Sequence, residues 1–243
     1  SVSQFFVMPT SSVAEALASV QNRIAIATRQ SGRDDTAVRL IAISKTKPPE
    51  LLRDAVAVGQ LVFGENRVQE ALEKMEELAD LPNLEWHLVG HLQKNKAKFC
   101  PGRFHWLHSV DSAELVTRLE SRCAETEWPL QVLLQVKLSQ EDSKSGLHDW
   151  SEIQRLAEQL LGCQWLKFRG LMTIPAPGLG ETETRRLFAK LRNWRDQLQQ
   201  EFDAPACTEL SMGMTADFEW AILEGATMVR IGSAVFGARP APA

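Results

Sequence analysis

The sequence predicts an α/β protein built as a single closed (β/α)8 TIM barrel with an extra N-terminal helix. Short apolar runs rich in β-branched residues alternate with stretches of helical period, the pattern of repeated βα units. Eight such units fit within 243 residues, a length at which barrels close, whereas an open doubly wound sheet is expected to use fewer strands. No Pro/Gly/Ser-rich linker breaks the pattern, so residues 1–243 read as one domain, with 1–10 and 240–243 expected to fray.

The extra helix is expected over residues 13–30, an amphipathic segment that precedes the first strand and has no strand of its own to follow. Strands are expected at 38–45, 61–64, 85–90, 106–111, 130–138, 168–174, 208–213 and 228–236. The crossover helices fall at 49–58, 68–78, 113–125, 150–161, 181–202 and 216–224, with a shorter, weaker helical stretch after Leu92.

Composition narrows the function classes. With 44% hydrophobic and 24% charged residues, the chain is ordinary globular protein. At this length folding buries roughly 70–75% of the unfolded surface, so stability needs neither disulfides nor a structural metal. Lys and Arg total 27 against 31 Asp and Glu, a net charge of −4, and no basic block exists to attract nucleic acid. Residues 5–8 form only a short apolar run with no basic leader, and nothing approaches about 18 consecutive apolar residues. A cytoplasmic protein with no membrane partner is expected, with Cys100, Cys123, Cys163 and Cys207 reduced and acting as core filler.

In a parallel barrel the functional residues sit where strands end at the C-terminal face. Those positions include Lys45, Asn66, His91, Lys144, Met172, Ser211 and Arg230. Lys45 ends a nearly continuous apolar strand. Desolvation there would favour the neutral amine that attacks carbonyls, although a solvated strand-end lysine is the plainer alternative. Lys47 precedes Pro48, which extends its backbone and is expected to turn it toward solvent. The loops holding Ser211-Met212-Gly213-Met214-Thr215 and Ile231-Gly232-Ser233-Ala234 follow strands seven and eight, where barrels often bind phosphate beside a helix N-terminus; turn chemistry alone would also explain them. Arg230, within Val229-Arg230-Ile231, requires an acceptor or anionic partner, either an internal salt bridge or a ligand. Asn66 suits an N-cap, with Gln69 closing a capping box. His87 and His91 lie in strand context, and His105 and His108 straddle a strand start, so no histidine metal site is expected.

Five ordered motifs go further: Ala42-Ile43-Ser44-Lys45-Thr46-Lys47-Pro48, Phe63-Gly64-Glu65-Asn66-Arg67-Val68-Gln69-Glu70, Trp86-His87-Leu88-Val89-Gly90-His91-Leu92-Gln93-Lys94-Asn95-Lys96, Gly170-Leu171-Met172-Thr173-Ile174 and Met228-Val229-Arg230-Ile231-Gly232. Together they resemble the pyridoxal phosphate homeostasis protein family, over about residues 13–239. The resemblance implies a barrel similar to the alanine racemase N-terminal domain, holding pyridoxal 5′-phosphate as a lysine imine. It implies Lys45 as the imine lysine, Ser211, Gly213, Gly232 and Ser233 as the phosphate cradle, Arg230 as partner of the pyridine nitrogen, Asn66 as neighbour of the ring, and Met172 within the same site. Ser233 and Thr215 keep hydroxyls where relatives often exchange Thr and Ser. Lys144, in Asp142-Ser143-Lys144-Ser145-Gly146, also matches a family motif and is either a second basic contact or a loop lysine.

The expected function is a non-catalytic protein that stores, protects or delivers the cofactor, with pyridoxal-phosphate-dependent apoenzymes as recipients. Alternatives are a racemase or decarboxylase using the same cofactor, and a class I aldolase using Lys45 with the phosphate site. Arginine only donates, so Arg230 would leave the pyridine nitrogen unprotonated and the ring a poorer electron sink. Racemisation needs two bases on opposite faces. In the racemases that the barrel resembles the second is a tyrosine from another domain; this sequence contains no tyrosine and ends just after the eighth strand, although His91 could substitute. Without that domain a monomer is expected.

Overall fold

The computed structural model describes residues 12–138 and 146–238; the expected frayed ends and Lys144 lie outside the described residues. Eight parallel strands pair in chain order and close on themselves: β1 (Arg39–Ile43), β2 (Val62–Glu65), β3 (Glu85–Leu88), β4 (Trp106–Val110), β5 (Leu130–Gln135), β6 (Leu166–Met172), β7 (Glu209–Ser211) and β8 (Met228–Ile231). Closure is made by β1 against β8, with Ile41 opposite Arg230 and Ala42 opposite Ile231. Around this sheet lie α2 (Pro49–Ala57), α3 (Val68–Glu77), a 3₁₀ segment (Lys94–Phe99), α4 (Ala113–Thr126), α5 (Trp150–Leu161), α6 (Glu181–Phe202), α7 (Phe218–Leu223) and α8 (Ser233–Phe236).

Strand periodicity sorts the side chains into two layers. Leu40 and Ala42 of β1 join Phe63, Leu88 and Leu107 in the large core between sheet and helices. Ile41 and Ile43 point the other way, into a barrel interior shared with Val89, Trp106, Leu133, Met172 and Met228. The helices are tied on by apolar stripes, such as Ile153, Leu156, Ala157 and Leu160 on α5.

The extra helix, α1 (Ser12–Gln30), buries Val13, Leu17, Val20, Ile24 and Ala27 and packs against α2, α7 and α8. Just beyond it, Arg33 donates to the carbonyls of Ile222 at 2.7 Å and Ala226 at 2.9 Å. The first segment of the described chain is thereby pinned to the last βα unit.

Three expectations change. The eighth strand stops at Ile231, because Gly232 leaves extended geometry (φ −114°, ψ −69°) and Ser233–Phe236 turns into α8 with Val235 and Phe236 buried. β6 runs two residues earlier than expected at both ends. The N-cap of α3 is Arg67 with no side-chain cap, and Gln69 donates to Glu73 instead of closing a box. The backbone of Asn66 is packed under Gly90, where a Cβ would come within 2.2 Å of its carbonyl oxygen.

Candidate functional site

A cavity of about 630 Å³ opens at the C-terminal mouth of the barrel, over the β1/β8 side. Lys45 and Lys47 reach it from the exit of β1, Arg230, Gly232 and Ser233 from β8, and Thr215, Asp217 and Trp220 from the segment after β7; residues 174–179 form an apolar wall.

Lys45 is held from both sides. The carbonyl of Ser44 accepts a hydrogen bond from Lys74, and the Thr46 N–H donates to Glu70. Lys74 in turn bridges Glu65 at 2.6 Å and Glu70 at 3.0 Å, and the Ser44 hydroxyl donates to Glu65. Glu65 is fully buried and Lys74 nearly so. Burial pushes the Glu65 carboxyl up, opposed by the hydrogen bonds from Lys74 and Ser44. Thr46, at φ +65°, turns the chain sharply after Lys45. Lys47 does not simply face solvent: it lines the cavity rim, its ammonium donating to the Ala238 carbonyl at 3.0 Å.

Opposite Lys45, the loop after β7 is set by Gly213 at φ +105°, where a Cβ would lie 2.8 Å from that of Ala221. The Met214 N–H donates to Asp217 at 2.8 Å, and the hydroxyls of Ser233 and Thr215 meet at 3.2 Å beside the cavity. At Gly232 a Cβ would lie 3.1 Å from the Ile43 carbonyl, so the glycine lets this turn pack closely against β1.

Arg230 is 3% exposed and forms part of the cavity floor. Its partners are neutral, the Ser211 hydroxyl at 2.6 Å and the Thr173 carbonyl at 3.0 Å. Burial draws its pKa down to about 10, opposed by Asp217, whose own carboxyl burial pushes up.

The expected site residues therefore divide. Lys45, Arg230, Gly232 and Ser233 line one cavity, and Gly213 shapes its loop. Ser211 lies below, fully buried between Arg230 and His108, and Met172 belongs to the barrel interior. Asn66 is half-buried and His91 exposed; neither lines the cavity. Thr215, in the loop expected to bind phosphate, lines the cavity, while Asp217, Lys47 and the apolar wall join the site from outside the expected set.

Local spacing also hid a polar line through the barrel. His87 of β3 and His108 of β4 meet at 2.8 Å (Nδ1 to Nε2), and His108 Nδ1 lies 2.8 Å from the Ser211 hydroxyl. All three side chains are fully buried. Burial depresses both imidazoles, His87 to about 4 despite the opposing attraction of Glu85, and His108 well below its usual value. Among the described residues no cluster of three or more His, Cys, Asp or Glu could hold a metal, and no helix is long and apolar enough to cross a membrane.

Comparison with known proteins agrees with this architecture. Residues 16–240 match the family described as alanine racemase, N-terminal domain. The pyridoxal phosphate homeostasis proteins of Pasteurella multocida and Pseudomonas aeruginosa are 43% and 46% identical, over 92% and 94% of this chain and 96% of each relative. The structure of PipY from Synechococcus elongatus with PLP bound superposes with a TM-score of 0.83 at 43% identity, covering 93% of this chain and all of that one. Alanine racemase from Corynebacterium glutamicum shares the fold at 18% identity and a TM-score of 0.67, over 93% of this chain and 62% of that one. The chain belongs to the alanine racemase N-terminal domain family and, within it, to the pyridoxal phosphate homeostasis proteins.

Proposed function

We propose that this protein binds pyridoxal 5′-phosphate in the cavity at the barrel mouth and serves intracellular homeostasis of that cofactor, with no amino-acid turnover of its own. The observation that carries the reading is convergence: an amine, a pair of hydroxyls and a buried guanidinium, from the exits of β1, β7 and β8, meet in one cavity of about 630 Å³. The residues fit the cofactor. Thr215 and Ser233 offer two hydroxyls 3.2 Å apart to a phosphate, and Gly232 lines the same cavity. When bound, the cofactor supplies an aldehyde, which Lys45 would mask as an imine.

Arg230 carries the negative part of the argument. Even with its pKa drawn down to about 10 it stays protonated near neutrality and can only donate, so a ring nitrogen facing it accepts and stays unprotonated. That arrangement disfavours aminotransferase-type chemistry, which relies on a protonated pyridine to stabilise a carbanion. The sequence also lacks the tyrosine that would serve as a second base. The PLP-bound PipY structure and the names of the relatives support binding and homeostasis. A cytoplasmic monomer that hands cofactor to apoenzymes completes the proposal.

Borohydride reduction of the loaded protein followed by peptide mapping tests the site: the label is expected on Lys45, and recovery mainly on Lys47 or Lys144 overturns it. Exchange of the α proton of L- and D-alanine in deuterated buffer tests the non-catalytic part. Turnover near about one per second, within the usual enzyme range, would sink it.

A further inference from the structure

The polar line inside the barrel has two ends of opposite character. At one end Arg230 can only donate, and it donates to the Ser211 hydroxyl at 2.6 Å. At the other, His87 Nε2 sits 3.5 Å from a Glu85 carboxylate oxygen, a long contact, with no other hydrogen-bond partner among the described residues. A carboxylate only accepts. Glu85 is itself fixed: Arg39 pairs with the same oxygen that faces His87, the other oxygen accepts from the Trp106 indole at 3.1 Å, and the Trp106 ring stacks on that of His87 at 5.6 Å.

These ends determine the protons between them. Ser211 accepts from Arg230, and its single O–H then satisfies His108 Nδ1 at 2.8 Å. That makes His108 the Nε2–H tautomer, which donates to His87 Nδ1 at 2.8 Å. His87 must then also carry its proton on Nε2, facing Glu85. The reverse order would aim a bare lone pair of His87 at the carboxylate and leave the Ser211 proton with no acceptor, both costly in a fully buried line. Every dipole therefore points the same way, with its negative end toward Arg230 and its positive end toward Glu85.

We infer that Glu85, at the N-terminal end of the barrel, is a positioning residue for Arg230: through His87, His108 and Ser211 it orients a one-way hydrogen-bond chain that supplies the counter-charge the buried guanidinium lacks in its own contacts. The consequence for the cofactor's ring nitrogen rests on the proposed function above; the proton arrangement does not.

Two-bond proton–nitrogen NMR correlation on cofactor-free, nitrogen-15-labelled protein reads the tautomers directly. Both His87 and His108 are expected as neutral Nε2–H forms. An Nδ1–H form or an imidazolium at either position near neutral pH overturns the chain, whatever the cofactor does. Glu85→Leu is expected to mix the tautomers and weaken pyridoxal phosphate binding roughly tenfold, the scale seen when outer hydrogen-bond partners are lost elsewhere. Glu85→Gln, whose side-chain oxygen still accepts, should restore the tautomers. Arg39→Leu removes the ion pair but keeps the carboxylate, and should leave both readouts within about twofold. Unchanged tautomers in Glu85→Leu, or an Arg39→Leu variant that reproduces its effect, would show that Glu85 serves only the barrel end. If wild-type protein fails to bind the cofactor, the proposed function falls while the tautomer result stands by itself.

Discussion

Lys45 reaches the cavity because the peptide units on both sides of it are tied down, and the tie is a buried charge cluster. Lys74 bridges Glu65 and Glu70 while donating to the Ser44 carbonyl. Removing one partner from such a cluster leaves the other charge uncompensated, at a cost of about 3–5 kcal/mol. Lys74→Met should therefore lower unfolding stability by that order in chemical denaturation, and adding Glu65→Gln should recover part of the loss, since the two sites are coupled. A second prediction concerns His87. Its folded pKa near 4 lies below the ordinary 6.5, so the unfolded chain takes up the proton first as pH falls. The stability this neutral imidazole contributes is present above pH 6.5 and lost toward pH 4, roughly 3 kcal/mol in all. Compared with His87→Asn, which does not titrate, wild-type protein should show that much steeper a fall in denaturation free energy across this window; parallel curves would mean that His87 titrates normally.

At the scale of elements, the site is made by the loop after β7 and the turn into α8. Thr215 and Ser233 belong to these two segments, and their hydroxyls sit side by side. The double variant Thr215→Ala with Ser233→Ala should lose two charge-assisted hydrogen bonds of roughly 1.5–3 kcal/mol each. Cofactor dissociation, followed by absorbance during dialysis, should accelerate by about a hundredfold or more, while Lys45 remains labelled by borohydride at saturating pyridoxal phosphate. The strands, the helices and Lys45 were readable in the sequence because they rest on local period and on the rule that strands deliver function at their C-terminal ends. Residues 233–236 misled because a three-residue apolar run, Ala234 to Phe236, carries no period; Gly232 was the sign that the strand had ended. Ser211, an inward residue still on β7, lies below the mouth against Arg230, and the hydroxyl that lines the cavity comes from Thr215 in the loop beyond. The pairing of His87 with His108, twenty-one residues apart on neighbouring strands, depends on register across the barrel and leaves no local trace.

For the whole molecule, the important feature is where the barrel closes. β1 and β8 meet across the longest sequence separation in the sheet, and the contacts of α1 and Arg33 with the last βα unit join the same distant parts of the chain. Pairings of that kind carry the largest loop-closure cost and are expected late in folding. The cavity lies across this seam, with Lys45 on one side and Arg230, Gly232 and Ser233 on the other. A bound cofactor thus acts as a latch between the two ends of the chain: it has nothing complete to hold until the ring has closed, and it must be released before the ring can reopen. At a hundredfold excess over its dissociation constant it should add about 2.7 kcal/mol, appearing as slower unfolding with little change in the refolding rate. Stopped-flow refolding and unfolding with and without pyridoxal phosphate would reveal this, and a faster refolding limb would place the site earlier. In a cell, the empty protein would then be the form that opens, and so the form that proteases reach first, which would tie the abundance of the carrier to the supply of what it carries.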